Sequence, residues 1–234
     1  MGSPASTIAD WNSRTEDKAS AHYVIGGSEY DQLVDSTEYF TWHAGVKGVP
    51  GNRIKKAGYK TSGGGINAYS VGIEIQSPGY LVKKNGKYYT ANTANGIEVD
   101  PSNQAVPVDF SGNPLKGGYK YHERYYKYND YQINTLEKIL LKELRLHNIP
   151  FVWKPETYNE MFPNAENFNG LTRDVSTYKG NLSKKALALE PGVYSHNSSR
   201  IDKSDVFPQK ELLDMLERVS ETLKTQAAAS TTLP

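Results

Sequence analysis

Within the C-terminal stretch HNSSRIDKSD stand His196, Lys203 and Asp205, three side chains whose types suit metal-assisted hydrolysis. Imidazole and carboxylate are ligands that a catalytic zinc accepts, and an ammonium between them can stabilise negative charge as it develops on a carbonyl oxygen. A catalytic zinc commonly takes three protein ligands and keeps one position open for water, and the third ligand is not evident in this stretch. The chain has no cysteine, which removes thiolate metal sites and disulfides and restricts any ligand to His, Asp or Glu. A further candidate lies far upstream. Glu74 is the sole charged residue of the apolar run SVGIEI (70–75), and a carboxylate in such a run needs a reason.

A chain of 234 residues can bury a real core as one generous domain or one domain with large insertions, and two domains are not needed. Its 27 Lys and Arg nearly balance its 26 Asp and Glu, so no global field recommends nucleic acid or an anionic membrane as partner. No apolar run approaches the ~20 residues that span a bilayer. The start, MGSPASTIADWN, has neither the charged opening nor the apolar stretch of a signal peptide. These features lead us to expect a protein that stays cytoplasmic until another device releases it, or that travels on a particle. Tyrosine is frequent, at 17, beside 3 tryptophans; such rings suit sugar or peptide surfaces and equally suit the filling of strands and hairpins.

The elements that must position the candidates follow from periodicity and turn chemistry. Residues 4–18 read as a helix capped by Ser6 or Thr7. AHYVI (21–25) reads as a buried strand whose Gly26-Gly27 closes a hairpin, and SVGIEI as a second strand, buried on both sides. Residues 45–65 form a loop rich in Gly, Pro and Lys. Residues 79–128 carry the turn pairs Asn85-Gly86, Asn95-Gly96 and Gly117-Gly118, which predicts inserted hairpins without a core of their own. Ile133, Leu136, Ile139, Leu140 and Leu144 recur at helical spacing within 130–147. Residues 150–182 read as a second, irregular insertion, GVYSH (192–196) as a short strand ending at His196, and 208–226 as a closing helix. Residues 227–234 read as a frayed tail of a single domain spanning 1–226.

Four local signals stand in order: Ser20-Ala21-His22 opening a strand, Trp42-His43-Ala44-Gly45, Asn67 ahead of Ser70-Val71-Gly72-Ile73-Glu74, and His196 with Lys203 and Asp205. Together they resemble the zinc-dependent N-acetylmuramoyl-L-alanine amidases of the phage-lysozyme and peptidoglycan-recognition type, over most of residues 4–220 apart from the insertions. The resemblance implies an α/β fold with a mixed central β-sheet flanked by helices, and a metal at one sheet edge in a peptidoglycan-binding cleft. It implies cleavage of the amide between the lactyl group of N-acetylmuramic acid and L-alanine, with peptidoglycan as partner and a phage, prophage or bacterial origin. Carried across residue by residue, His196 and Asp205 are zinc ligands and Lys203 stabilises the oxyanion. Glu74 takes the place of the general base, His43 lines the cleft on the substrate side, and Asn67 shapes the loop before the catalytic strand.

One part of the family pattern is missing. Its members carry another zinc-ligating histidine at the end of a first strand, in a segment like Ile-His-His-Thr shortly before the first helix, and this sequence starts at MGSPAST, just after that place. Three explanations stand: a longer reading frame, a strand removed or supplied by another polypeptide, or a true loss that leaves a non-catalytic peptidoglycan-binding module or a phage structural protein. None of the remaining histidines repairs the gap. His22 reads as a hydrogen-bonded core residue, His122 falls in the insertion, and His147 ends a helix, where the helix dipole alone favours it. Plain alternatives exist for the favoured residues also: Glu74 paired with a lysine on the sheet, Lys203 and Asp205 as a solvated ion pair, and His196 as a strand-end residue.

Overall fold

A computed structural model of the chain describes residues 3–15, 19–44, 65–91, 96–163, 183–199, 203 and 205–231. Residues 16–18 of the expected first helix, the expected loop at 45–64, Asn95 of the second turn pair, the expected irregular stretch at 164–182 and residues 232–234 lie outside these. The architecture is α/β, with a small mixed sheet covered by helices and two further two-stranded pairs.

The central strand β1 (Tyr23–Ile25) is aromatic and β-branched and wholly buried. It pairs antiparallel with β2 (Tyr30–Gln32) through the Gly26-Gly27 turn, where the Gly26 N–H donates to the Glu29 carbonyl at 2.8 Å. On its other side it pairs parallel with β3 (Ile73–Ile75), placing Val24 opposite Glu74. Among the described residues β3 is therefore an edge strand, and Glu74 is exposed to solvent, where the sequence predicted burial on both sides. The strand is also shorter than SVGIEI. Residues Gly65–Tyr69 form a 3-10 turn, and the Ser70 hydroxyl donates back to the Ile66 carbonyl at 2.7 Å, a local bond that competes with the ladder.

The first helix, α1 (Pro4–Ser13), is capped by Ser3 with Pro4 at the start, one turn ahead of the predicted caps. Proline's fixed φ and missing N–H favour the first helical position, so Pro4 sets the boundary. Gln76, just past β3, docks this helix by donating to the Ser3 carbonyl at 2.7 Å and to Thr7 Oγ1. On the opposite face of the sheet lies α2 (Asp130–Leu146), as the periodicity predicts. Asn129 and Gln132 close a capping box at its start, while the Gln132 side chain donates to the Gln76 carbonyl at 2.6 Å and Asn129 to that of Gly27 at 2.8 Å. Glu143, buried on the same helix, accepts from Tyr23 Oη at 2.5 Å and Ser36 Oγ at 2.6 Å, and tethers β1 and the segment after β2 to α2.

Residues 79–128 carry the hairpin β4 (Leu81–Lys84) and β5 (Lys87–Thr90), turning at Asn85-Gly86, and the short pair β6 (Gln104–Ala105) and β7 (Tyr125–Tyr126). Buried apolar residues of this stretch share the main core. Tyr119, Tyr125 and Tyr128 are buried with Ile133 and Leu136 of α2 and with Phe207, Leu212, Met215 and Leu216. The Phe207 ring stacks on Tyr125 and Tyr128, at centroid distances of 4.2 and 5.2 Å. Among the described residues three helices follow: α3 (Pro155–Met161), inside the stretch expected to be irregular, α4 (Lys184–Leu187) and α5 (His196–Ser199). The closing helix, α6 (Lys210–Thr231), packs on α2 and runs on into the part expected to fray. No helix of the described residues is long and apolar enough to cross a membrane.

Candidate active site

The predicted strand at 192–196 is not formed. His196 instead opens α5, because Ser195 and Ser198 satisfy each other: the Ser198 N–H donates to the Ser195 carbonyl at 2.9 Å and the Ser195 N–H to Ser198 Oγ at 3.1 Å. Serines that bond their own backbone favour a helix start over a strand. This short helix is fixed to α3 by Ser198 Oγ, which donates to the Glu160 carbonyl at 2.7 Å.

From that base the His196 ring reaches Asp205, with Nδ1 and Oδ2 3.0 Å apart. Nε2 is buried without a hydrogen-bond partner. Burial opposes ionisation of Asp205, but the hydrogen bond and charge of His196, with the charge of Lys203, outweigh it and hold its pKa below the usual carboxylate value. Glu74 behaves in the opposite way. Its pKa is pushed up to about 7, first by loss of hydration and then by the charge of Asp205, against the pull of His196, Lys203 and Arg14. The carboxylate is nonetheless open to solvent on its edge strand. His196, Asp205, Lys203 and Glu74, distant in sequence, thus lie within electrostatic reach of one another.

His43 stands beside this group and is held by both ring nitrogens. Ser70 Oγ has given its hydrogen to Ile66, so His43 Nε2 must donate to it, at 2.8 Å; Nδ1 is then the acceptor facing the Thr41 hydroxyl at 2.9 Å. Thr41 also faces Nδ1 of His22 at 3.0 Å. That nitrogen accepts the Gly72 N–H at 3.0 Å, and His22 Nε2 donates to the Tyr39 carbonyl at 3.0 Å, which fixes the tautomer of this buried ring. His22 is the satisfied core histidine the sequence suggested. Burial, aided by His22 and His196, lowers the His43 pKa to about 4, so the ring is neutral at ordinary pH. Asn67 is buried, and its side-chain oxygen accepts from the backbone N–H groups of His43 and Ala44 at 3.0 and 2.8 Å. It thereby shapes the segment that presents His43, and makes that contact from beneath the surface.

The imidazole of His196 and the carboxylate of Asp205 are donors that zinc accepts. Two ligands of a tetrahedral zinc with bonds near 2.0–2.1 Å lie about 3.3 Å apart, close to the 3.0 Å between His196 Nδ1 and Asp205 Oδ2. An ion could be taken by these two atoms together, or by the unpartnered Nε2 with Asp205 orienting the ring. The pair fits as part of a zinc site. Among the described residues, no group of three or more His, Asp and Glu side chains is placed to hold a metal.

Comparison with known families gives a result in keeping with this chemistry. The N-acetylmuramoyl-L-alanine amidase family matches residues 2–156, well over half of the 234, and the chain belongs to that family. The family acts on peptidoglycan and is generally zinc-dependent. No curated protein and no solved structure matches the chain. The matched segment includes His43, Asn67 and Glu74 and ends ahead of His196, Lys203 and Asp205.

Proposed function

We propose that this chain hydrolyses the amide joining N-acetylmuramic acid to L-alanine, with zinc held in part by His196 and Asp205. The observation that carries the reading is the His196–Asp205 contact lying within reach of a carboxylate, Glu74, whose pKa stands near 7. Zinc, when bound, supplies a more acidic water and polarises the carbonyl. Glu74 then has a simple task. Beside His196 and Asp205 it is a carboxylate placed to accept the proton of the attacking water and return it to the nitrogen of the leaving amine. A C–O bond forms, the C–N bond breaks, and the products are a lactyl carboxylic acid and a free L-alanine amino group. Lys203 places positive charge near the carbonyl oxygen as it becomes anionic. His43, neutral and doubly bonded, keeps the cleft wall in place and takes no part in proton transfer.

A second reading is favoured by one observation, the lack of a three-ligand group among the described residues. On that reading the cleft grips muropeptide without cutting it. Two measurements separate the readings: zinc per chain after dialysis, and release of N-terminal L-alanine from muropeptides. About one zinc per chain, with release that Glu74→Gln lowers about 100-fold or more, supports hydrolysis. Less than half an equivalent of tightly bound zinc and no release, with muropeptide still bound, overturns it in favour of the binding module.

A further inference from the structure

Residues 119–122 form a two-residue turn built from unfavourable residues. Tyr119 and His122 exchange backbone hydrogen bonds of 3.1 and 3.0 Å, and between them Lys120 and Tyr121 have φ of 44° and 70°. Positive φ at both central positions defines a type I′ turn, where Asn and Gly are at ease and side chains with larger Cβ substituents are not. The same chain uses the favoured pair at the β4–β5 turn, where Asn85 and Gly86 have φ of 49° and 80°. The strained turn is firmly held. A Cβ on Gly118 would stand 2.2 Å from the His122 carbonyl oxygen, the Tyr80 ring stacks on His122 at 3.7 Å, and Tyr125 Oη donates to the Tyr119 carbonyl at 2.9 Å. Backbone strain that its surroundings enforce is found where a side chain has to be delivered to a particular place.

Here the delivered group is the Lys120 ammonium. It donates to Asn197 Oδ1 at 3.1 Å and to the Lys203 carbonyl oxygen. Asn197 follows His196, is buried, and passes its own Nδ2 hydrogen to the Val206 carbonyl. One cation therefore ties the residue beside His196 to the backbone of Lys203, and through Asn197 to the backbone beside Asp205. An Asn or Gly at position 120 would suit the turn and could not span that distance.

We propose that Lys120 is a positioning residue for the hydrolytic site, setting the relative placement of His196, Lys203 and Asp205 through Asn197 and the Lys203 carbonyl. For its effect on turnover this rests on the amidase reading. The chain's lack of cysteine provides the test. Lys120→Cys introduces a unique thiol, which 2-bromoethylamine converts to S-aminoethylcysteine, an ammonium on a side chain of nearly the same length. Lys120→Cys should lose about tenfold or more in kcat on muropeptide with KM changed less than about twofold, because misplacement acts on the transition state. Aminoethylation should restore kcat to within about threefold. Amide hydrogen exchange at Asp205, Val206 and Phe207 should quicken in Lys120→Cys, slow again after aminoethylation, and quicken equally in Lys120→Met, which keeps the stem and lacks the charge. Unchanged kcat, or a loss that aminoethylation leaves unrepaired, overturns the proposal. If the unaltered chain releases no L-alanine, it is the amidase reading that fails. Exchange then decides the role of Lys120 alone: protection lost and regained supports it, and unchanged protection refutes it.

Discussion

Replacing Gly72 by alanine should damage the fold through a single neighbour, the His43 ring. A Cβ built on Gly72 stands 2.3 Å from His43 Cγ and 2.6 Å from its Cβ and Nδ1, against the usual van der Waals contact of more than 3.4 Å. The ring has to retreat by about 1 Å, and its bonds to Ser70 at 2.8 Å and Thr41 at 2.9 Å cannot survive that. Two hydrogen bonds at about 1 kcal/mol each, with overpacking of about 1–2 kcal/mol, give a cost of about 3–4 kcal/mol. For a chain of this size that is a fall in Tm of roughly 6–15 °C. The assay is a double-mutant cycle by urea denaturation, with Gly72→Ala made in the native background and in His43→Ala. With the ring gone, the added methyl enters the space it leaves, and the second cost should shrink to below about 1 kcal/mol. Equal costs in the two backgrounds would refute the reasoning and move the damage to the β1–β3 ladder, where the Gly72 carbonyl accepts from His22 and Tyr23.

Two further outcomes follow from buried ionisable groups. His43, with a folded pKa of about 4 against 6.5 when free, contributes nothing to pH dependence above 6.5; as pH falls from 6.5 to 4 the unfolded chain takes the proton first and stability declines. The loss is at most about 3 kcal/mol, and the difference in unfolding free energy between native protein and His43→Asn, followed over that range, should contain it. Glu143→Ala removes the buried acceptor of the Tyr23 and Ser36 hydroxyls and the carboxylate 3.2 Å from His147, leaving Tyr23 with Lys142 and Ser36 with His147. It should cost about 2–4 kcal/mol in urea denaturation, while Glu137→Ala, which breaks an exposed pair with Arg218, should cost below about 1 kcal/mol.

Much of the frame was legible because it depends on local pattern. The α2 stripe from Ile133 to Leu144, the Gly26-Gly27 hairpin and the Asn85-Gly86 turn each carry their geometry in a few neighbouring residues. Glu74 was noticeable as a lone carboxylate in an apolar run, yet its exposure on an edge strand depends on which strands pair, and that is a long-range property. The strand expected at 192–196 gives way to Ser195 and Ser198, whose local bonding competes with sheet. Lys120 could not have been found by composition or motif. Its importance lies in a backbone conformation that Lys-Tyr does not advertise and in partners 77 and 83 residues away.

The Tyr125–Phe207–Tyr128 stack has a consequence for how this protein can change over generations. It joins the first insertion, inside the family match, to the segment following Asp205, outside it. Tyr128 Oη also donates to the Asp205 carbonyl at 2.9 Å. The insertion is consequently not an ornament that recombination could exchange at will. A change at Tyr125 or Tyr128 would remove a stacking partner of Phe207, so substitutions in the two regions should be coupled in their effect on stability.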